Sequence, residues 1–549
     1  MAEILVIARS HIDTTAPCAA LDEAHLGSIE GAFGTISAND IGPRAGWRAR
    51  LKTLLAILGP GLIAMVGDND AGAFGTYTQA GQNYGTALLW TLPLLIPVLY
   101  VNQEMVLRLG AVARVGHARL IFERFGRFWG TFSVIDLFLL NALTLVTEFI
   151  GIGLALDYLG LPKALGIALA GLTVMVAGAT GDFRRFERFS MVLVAGSLLL
   201  IPVVMLVHPP AGQIARDMLM PHLPEHGALS DVMLLVIAIV GTTIAPWQLF
   251  FQQSYVIDKR ITPRFIRYER IDLWLGIALV IVGAVAMMAF SAALFEGKPE
   301  AGNFTDAGAV AAGLGHYAGR TVGVLFAVAL IDACLIGAAA VSLSTAYAIG
   351  DVLSLKHSLH RKASDAKGFY AVYCGLVAVA AGLVLVPGMP LGLLTNAVQT
   401  LAGVLLPSAT VFLLLLCNDR EVLGPWVNSR ALNFFTGAVI AALVLLSVIL
   451  TASVLFPDLG ERRILGILIG GAGLAASLGL MTFLAGSVGA QPIDRSGRDR
   501  WLMPPLHRLA PARLTLQTRG WMGILRLYLL AAGGMVLARI LALALSGQG

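Results

Sequence analysis

Residues 59–81 read GPGLIAMVGDNDAGAFGTYTQAG, an apolar segment that is interrupted in its middle by glycines and acidic residues. Residues 240–254 read VGTTIAPWQLFFQQS, a second apolar segment that is interrupted by two threonines and a proline. One glycine or proline in a membrane helix is weak evidence, because both residues are common there. Two breaks at comparable depth, one of them with carboxylates, predict a pair of discontinuous helices that bind substrate and ions near the bilayer midplane.

The composition is that of a membrane protein. Hydrophobic residues make up 57% and charged residues 13% of the 549 residues, and the mean hydropathy is +0.80. Soluble domains carry about 25% charged residues, and a spanning helix needs roughly 20 apolar residues. Apolar runs of this length recur at 53–77, 86–107, 131–160, 164–180, 190–208, 231–255, 271–295, 321–350, 369–387, 391–417, 432–456 and 464–487. We therefore predict about twelve helices that span a lipid bilayer.

The net charge of +5 reflects membrane topology rather than nucleic-acid binding. Basic residues sit in short loops between the apolar runs, and every second loop is rich in lysine and arginine. By the positive-inside rule these loops are cytoplasmic. We predict an integral protein of the bacterial inner membrane with a cytoplasmic N-terminus, no nucleic-acid partner and no obligate protein partner. The four cysteines are scattered and indicate neither a disulfide framework nor a zinc site.

The polar stretches are too short for a separate soluble domain. A last apolar run near 522–546 contains two arginines, so it fits a span, an interfacial helix or a helix packed on the bundle. The predicted parts of the chain are a flexible cytoplasmic arm (1–50), a transporter domain (51–487) made of repeat one (51–208), repeat two (230–417) and peripheral helices (431–487), a cytoplasmic linker (488–520) and an apolar C-terminal helix (521–549).

Asp68 and Asp70 lie in the first break. A carboxylate at bilayer depth is costly unless it is paired, neutralised or bound to a cation. On an intact helix, side chains two residues apart point roughly 200° apart. Both carboxylates can face one ion only where the helix unwinds, which Gly67 and Gly72 permit. We expect one carboxylate to bind a cation and the other to support it. Alternatively they cap the following half-helix, and the two roles can coexist.

The two breaks and several neighbouring motifs resemble those of a known family. Asp70-Ala71-Gly72-Ala73 stands where the NRAMP family of divalent-metal transporters has its hallmark Asp-Pro-Gly-Asn, and Ala245-Pro246-Trp247-Gln248 stands where it has Met-Pro-His-Asn. Further matches are Gln103, Arg108, Leu109, Gly110, Glu148, Gly151, Leu406, Pro407, Asn418, Asp419 and Arg420. The resemblance covers residues 50–425 approximately. It implies an all-α polytopic membrane protein with a LeuT-like five-plus-five inverted repeat and discontinuous spans one and six.

The departures from the family pattern bear on the cargo and on proton coupling. The family's methionine, a soft ligand that favours transition metals, is replaced by Ala245, and its asparagine is replaced by Ala73. Few direct ligands imply retained water, which suits Mg²⁺ because this ion dehydrates reluctantly. The chain is thus most similar to the magnesium-transporting, NRAMP-related branch. The family's two span-six histidines fall on Trp247 and Gln252, so we do not expect proton coupling.

The resemblance implies a metal site between the two breaks. Asp70 is the expected side-chain ligand. Backbone carbonyls near Gly67 and Thr242, and less securely the side chain of Gln399, are expected to bind the ion or its waters. Glu148 is a candidate for the ion path. The residues expected to line the site are Asp68, Gly72, Ala73, Ala245, Pro246, Trp247 and Gln248.

We predict a divalent cation transporter that moves Mg²⁺, with Mn²⁺ as a further cargo, as a largely hydrated ion by alternating access and without proton coupling. One alternative is a proton-coupled transporter of Mn²⁺ or another transition metal. A more remote alternative is a sodium-coupled organic-solute carrier, because one scaffold serves many functions. The sequence contains no His-Glu-x-x-His motif and no nucleophile paired with a base, so we do not expect an enzyme. The metal ion is cargo, and no cofactor is expected.

Overall fold

Most of the described chain is helical. The computed structural model describes residues 19–224, 227–387, 398, 402, 407–456, 460–485, 494–510, 512 and 516–545. An antiparallel hairpin of β1 (Ile29–Gly31) and β2 (Gly34–Ile36) comes first. The helices up to residue 219 are α1 (Trp47–Ile57), α2 (Pro60–Val66), α3 (Ala71–Tyr84), α4 (Thr91–Ala113), α5 (His117–Phe125), α6 (Arg127–Leu159), α7 (Lys163–Gly178), α8 (Phe183–Gly196), α9 (Leu200–Val207) and α10 (Ala211–Leu219). The later helices are α11 (Leu229–Thr243), α12 (Pro246–Asp258), α13 (Ile266–Phe295), α14 (Ala307–Tyr317), α15 (Arg320–Leu353), α16 (Lys367–Val384), α17 (Pro407–Cys417), α18 (Arg420–Leu423), α19 (Arg430–Leu455), α20 (Glu461–Ala485) and α21 (Leu516–Leu545).

The helices coincide with the predicted apolar runs. Within the described residues, nine helical segments are long and apolar enough to cross a membrane, or ten if the bent pair α1–α2 is one span. The shorter apolar helices α7 and α17 lie in two further predicted runs. Much of the run at 391–417 lies outside the described residues. The chain is therefore an all-helical, polytopic membrane protein.

Span one is interrupted twice. The chain bends by 51° between α1 and α2. Gly59 stands at this bend with a φ of 154°, a conformation that glycine adopts without a steric penalty, and Pro60 starts α2. A second interruption separates α2, which ends at Val66, from α3, which begins at Ala71. Asp70 caps α3 by accepting a hydrogen bond from the backbone N–H of Ala73.

Span six is interrupted once, between α11 and α12. Pro246 is the first residue of α12, where its missing N–H removes no hydrogen bond. The preceding residue, Ala245, is extended, as the proline ring requires. The predicted discontinuities of spans one and six are both present. Pro246 accounts for the break in span six. In span one Gly67 ends α2 in a right-handed helical conformation, and the extended backbone of Asp70, with its side-chain cap, starts α3.

The interrupted spans lie at the centre of the bundle. Helix α13 packs against both α2 and α3, and α12 packs against α4 and α15. The longest helices, α6 and α15, pack against each other. Every residue of α2 and of α12 is buried. A helix without an exposed face is enclosed by protein on all sides. The two breaks therefore face the interior of the bundle rather than lipid.

The described part of the N-terminal arm, residues 19–46, packs against one end of the bundle, which we call the arm end. The backbone N–H of Ala32 donates to Oε2 of Glu187 in α8 at 2.5 Å. Asp22 pairs with Arg361 in the loop between α15 and α16. His25 Nε2 lies 2.9 Å from the carbonyl oxygen of His357 in the same loop. The arm therefore connects parts of the bundle that are far apart in sequence.

Candidate cation site

A cavity of about 270 Å³ lies beside the two breaks. Helix α3 and the end of α11 form one part of its wall, and α6 forms another. From α12 only the first two residues take part, and no residue of α2 does. The cavity therefore lies on the side of the breaks away from the arm end. Its lining residues are Asp70, Gly72, Thr76, Leu140, Thr144, Thr147, Leu234, Ile237, Ala238, Gly241, Thr242, Ala245, Pro246, Trp247, Val398, Ala402 and Leu450.

Asp70 is the ionisable side chain of this wall. Its Oδ1 accepts the hydrogen bond from the N–H of Ala73 at 3.0 Å, and 8% of the residue is exposed. The carboxylate also interacts with the backbone N–H of Gly72 and with the Glu148 side chain, and its remaining acceptor sites are open to a cation or its waters on the cavity side. Asp70 can therefore cap α3 and bind a cation at the same time. Asp70 also lies at the N-terminus of α3, where the helix dipole stabilises a negative charge.

Glu148 supports the same helix end from α6. Its Oε2 accepts a hydrogen bond from the N–H of Ala71 at 3.2 Å. Its Oε1 has no hydrogen-bond partner among the described residues, and the side chain is fully buried. A Cβ atom on Gly337 would lie 2.9 Å from this oxygen, so Gly337 leaves the space that the carboxyl group occupies. Glu148 touches the first turn of α3 and does not line the cavity.

Two threonines of span six, Thr242 and Thr243, lie next to residues of the break in span one and of α3. A Cβ atom on Gly72 would lie 3.2 Å from Oδ1 of Asp70 and 3.6 Å from Oγ1 of Thr242, which places that hydroxyl close to the carboxylate. The neighbouring Thr243 shares a hydrogen bond of 2.7 Å with the hydroxyl of Tyr77 in α3. This bond joins the two half-helices that border the cavity.

Trp247 closes the cavity towards the arm end. It is 1% exposed, and a Cβ atom on Gly67 would lie 3.3 Å from its ring. Its backbone carbonyl accepts a hydrogen bond of 2.9 Å from Ser344 in α15. Its indole N–H has no hydrogen-bond partner among the described residues. Because the ring fills the position beside Gly67, α2 is separated from the cavity.

The structure brings most of the predicted site residues together but separates some of them. Six of them line the cavity: Asp70, Gly72, Thr242, Ala245, Pro246 and Trp247. Four lie behind its wall: Asp68, Ala73, Gln248 and Gly67. Gln399 lies outside the described residues.

Three hydroxyls of the wall were not anticipated from the sequence, those of Thr76, Thr144 and Thr147. Thr144 donates to the carbonyl of Leu140 and Thr147 donates to that of Thr144, so both keep acceptor lone pairs. In the sequence, Thr144 and Thr147 are three residues apart and directly precede Glu148, and this spacing was the one indication that they share a helix face near the site. It was weak because threonines in membrane helices commonly bond to their own backbone.

This arrangement suits a hard cation that keeps its water. Among the described residues, no three His, Cys, Asp or Glu side chains converge in a way that could hold a metal ion. The cavity instead offers one carboxylate, several hydroxyl oxygens and the ends of broken helices. Oxygen ligands with few direct protein contacts are typical of Mg²⁺ sites.

The chain has relatives of known class. The family described as "Natural resistance-associated macrophage protein-like" (Nramp) matches residues 61–453. The divalent metal cation transporter MntH of Ralstonia nicotianae is 28% identical over 399 residues, which cover 69% of this chain and 86% of the relative. The divalent metal cation transporter MntH of Deinococcus radiodurans is 28% identical over 427 residues, which cover 74% of this chain and 90% of the relative. The MntH protein of Pectobacterium carotovorum is 29% identical to this chain over 265 residues. The match covers 61% of the relative's length. These relatives are transporters and not enzymes.

The fold agrees with this relationship. The structure of a manganese transporter from Eremococcus coleocola superposes with a TM-score of 0.62 at 21% identity, and the match covers 81% of this chain and 98% of that one. At this level of identity the likeness supports the fold alone, and it confirms the prediction of a LeuT-like bundle with discontinuous spans one and six. Together with the family match over residues 61–453, it shows that this chain belongs to the Nramp family.

Proposed function

We propose that this chain transports Mg²⁺, and secondarily Mn²⁺, as a largely hydrated ion through the cavity beside Asp70. The observation that carries the proposal is the wall of that cavity. Among its described residues Asp70 is the ionisable group, and methionine, cysteine and histidine are absent. A site of hard oxygen donors without a thioether or imidazole favours Mg²⁺ over transition metals. Asp70 supplies the charge that attracts the cation, and the threonine hydroxyls accept hydrogen bonds from its waters.

The size of the cavity supports a hydrated cargo. A water molecule takes up about 30 Å³ in the liquid, so an ion with six waters needs about 180 Å³. The cavity volume of about 270 Å³ exceeds this requirement. A site for a bare ion would need several direct ligands around a much smaller volume. Ala245 and Ala73, which replace larger side chains in the family pattern, are consistent with the roomier design.

Alternating access follows from the asymmetry around the breaks. On one side lies the cavity, whereas α2 and α12 on the other side are fully buried. We propose that the arm end is cytoplasmic, in a bacterial inner membrane, in keeping with the basic loops there. An inside-negative potential then favours inward movement by about 2.3 kcal/mol per charge per 100 mV, or about 4.6 kcal/mol for a divalent ion.

We further propose that this movement is not coupled to protons. A coupled proton needs a titratable relay beside the metal. Helix α12 contains no histidine, and its first turns carry Trp247, Gln248 and Gln252. The carboxyl groups near Asp70 are Glu148, which interacts with Asp70 and accepts a hydrogen bond from Ala71, and Asp68; we assign Glu148 a supporting role at the start of α3 and Asp68 no role in proton transfer.

Flux measurements in liposomes test the proposal. The reconstituted chain receives an inward Mg²⁺ gradient and an inside-negative potassium diffusion potential, with a magnesium dye and a pH dye inside. We expect Mg²⁺ entry that increases with the potential, without acidification. Asp70→Ala should abolish entry, whereas Asp332→Ala, a change of a carboxylate away from the cavity, should not. Acidification in step with Mg²⁺ entry would refute uncoupled transport, and full flux in Asp70→Ala would refute the site.

A second candidate is a proton-coupled manganese transporter. The names of the relatives and of the similar structure favour it, since these proteins are described as divalent metal cation or manganese transporters. The same liposomes distinguish the two candidates. Manganese uptake that exceeds Mg²⁺ uptake at equal concentration, together with internal acidification, would support the second candidate over the first.

A further inference from the structure

Asp68 is the second carboxylate of the first break, and its environment differs from that of Asp70. Only 2% of the residue is exposed, and it does not line the cavity. Among the described residues its carboxylate interacts with the Gln248 amide, and neither oxygen has a hydrogen bond of good geometry. Burying a carboxylate that lacks well-formed hydrogen bonds is strongly unfavourable.

Three glutamines with incomplete hydrogen bonding lie on the same side of the break. The amide of Gln248 interacts with the carboxylate of Asp68, although its Nε2 makes no hydrogen bond of good geometry within the described residues. Its Oε1 accepts a hydrogen bond of 3.0 Å from Gln103 in α4, whose own Oε1 has no such partner. Gln252 is fully buried, and both atoms of its amide lack partners in the described chain. We call Gln103, Gln248 and Gln252 the amide seam.

The amide seam lies towards the arm end. Gln248 and Gln252 are one turn apart on α12, so they share a face of that helix. Gln103 belongs to α4, which packs against α12. The break thus places Asp70 on the cavity side and Asp68 on the side of the buried half-helices. An ion that leaves Asp70 towards the arm end meets Asp68 and the amide seam next.

The chemistry of this second group is that of a cation site. A carboxylate and amide carbonyl oxygens are hard ligands that suit Mg²⁺ and similar ions. Two amide oxygens, those of Gln103 and Gln252, lack hydrogen-bond donors in the described residues, and a glutamine amide can rotate to present its oxygen. Asp68 and Asp70 are separated by a single residue in the break, and their carboxylates are near enough to interact electrostatically.

We propose that Asp68 and the amide seam form a second, transient site that takes the divalent cation from Asp70 as the half-helices at the arm end separate. This inference rests on the proposed transport function. In the present conformation the two half-helices are closed around the seam, so its polar groups lack partners. Arrival of the hydrated cation supplies those partners. Asp68 is therefore a residue of the transport path and not a ligand of the first site.

Binding and flux measured on the same variants test this proposal. The variants are Asp68→Asn, which keeps the shape and removes the charge, Gln252→Leu, and the matched control Asp332→Asn. Asp332 is also a carboxylate within the bundle, but it faces Gly196 of α8 and does not line the cavity. Calorimetry with Mg²⁺ reports the first site. Liposome flux with Mg²⁺ reports the complete path, and thermal unfolding of the purified protein reports stability.

We expect Asp68→Asn to keep the Kd for Mg²⁺ within about threefold of wild type while flux falls about tenfold, a factor that corresponds to about 1.4 kcal/mol. Its unfolding temperature should stay equal or rise, because a buried charge without well-formed hydrogen bonds has been removed. Gln252→Leu should show the same split between binding and flux, in smaller measure. Asp332→Asn should resemble wild type in both measurements.

Two results would overturn the inference. Wild-type flux in Asp68→Asn would show that the ion does not use this carboxylate. Loss of Mg²⁺ binding together with flux would make Asp68 part of the first site or of the framework, and a lowered unfolding temperature would indicate the framework. Normal Mg²⁺ transport by Asp70→Ala would refute the proposed function itself, and this result is independent of the result with Asp68→Asn. If Asp68→Asn does not fold, the result with Gln252→Leu decides, because wild-type flux in that variant contradicts the seam.

Discussion

Arg361→Ala should weaken the docking of the N-terminal arm on the bundle. Arg361 is held by Asp22 of the arm through Nε at 3.0 and 2.9 Å and through a terminal nitrogen at 2.5 Å. The side chain of Asp22 is 2% exposed and that of Arg361 is 22% exposed. Hydrogen bonds between charged groups contribute about 1.5–3 kcal/mol, and partial exposure of Arg361 favours the lower part of this range. A loss of about 2 kcal/mol corresponds to a factor of about 30 in the docking equilibrium.

Hydrogen–deuterium exchange of the β1–β2 hairpin measures this equilibrium. Within the described residues the two strands pair with each other and with no further strand, so their protection depends on docking of the arm on the bundle. We expect the hairpin amides to exchange about 30 times faster in Arg361→Ala, as the docking equilibrium shifts. Lys362→Ala, a change at the neighbouring exposed residue, is the control. Unchanged exchange in Arg361→Ala, or equal acceleration in Lys362→Ala, would refute the reasoning.

Docking should also depend on pH through two groups of the arm. Burial raises the pKa of Asp22, but hydrogen bonds from Arg361 and from the backbone outweigh it and hold this pKa well below its usual range. The docked carboxylate thus binds fewer protons than the released one, and docking weakens as the pH falls through the ordinary value of 3.8. Burial lowers the pKa of His25, although Asp258 opposes this, so docking already weakens below the ordinary value of 6.5. His25→Gln should remove the weakening of docking below pH 6.5. Hydrogen–deuterium exchange of the hairpin, corrected for the pH dependence of the intrinsic exchange rate, measures this.

Two further predictions concern the cavity. Tyr77→Phe removes the hydrogen bond to Thr243 that joins the half-helices, which contributes about 1 kcal/mol. Calorimetry should show a Kd for Mg²⁺ about fivefold weaker, and wild-type affinity would show that this bond does not position the site. Ala245→Met adds a thioether to the cavity wall and should raise Mn²⁺ transport relative to Mg²⁺ by about tenfold, since soft ligands favour transition metals. Uptake under competition between the two ions measures this, with Ala238→Met, another change in the wall, as the control; equal shifts in both variants would contradict a specific role of position 245.

The fold was predictable because its causes are local. Long apolar runs specify membrane helices, and glycine and proline residues specify where two of those helices stop. Pro246 acts through backbone conformation, which depends little on distant parts of the chain, and the glycines and acidic residues at 67–72 indicated the other break, whereas the bend at Gly59 was not predicted. The positions of the breaks could therefore be predicted from sequence. Docking of the arm could not, because Asp22 and Arg361 are 339 residues apart and nothing in either sequence segment indicates the other.

The candidate site was predictable only in part, for a geometric reason. Side-chain directions follow from helical periodicity, but periodicity is lost in a break. Asp68 and Asp70 both fall in the break, so the sequence could not assign them to different sides. The structure does so, with Asp70 in the cavity wall and Asp68 behind it. For Thr144 and Thr147 of α6, helical periodicity predicts that the two side chains share a face. It does not predict that this face points into the cavity, because the rotation of α6 is determined by its packing against α15.

The contacts at the arm end determine what the cation must supply during transport. Lys259 and Glu187, both fully buried, pair at 2.6 Å, and Asp272 accepts hydrogen bonds from the backbone of Gly59 and Gly61. Opening this end loses these interactions, and a ligand can shift the equilibrium only by its differential affinity for the two states. On the proposed path, Asp68 provides that difference, because in the closed state its buried carboxylate has only the Gln248 amide beside it among the described residues and gains the cation when the half-helices part. The unfavourable burial of one carboxylate thereby lowers the free energy that separates the closed state from the open one.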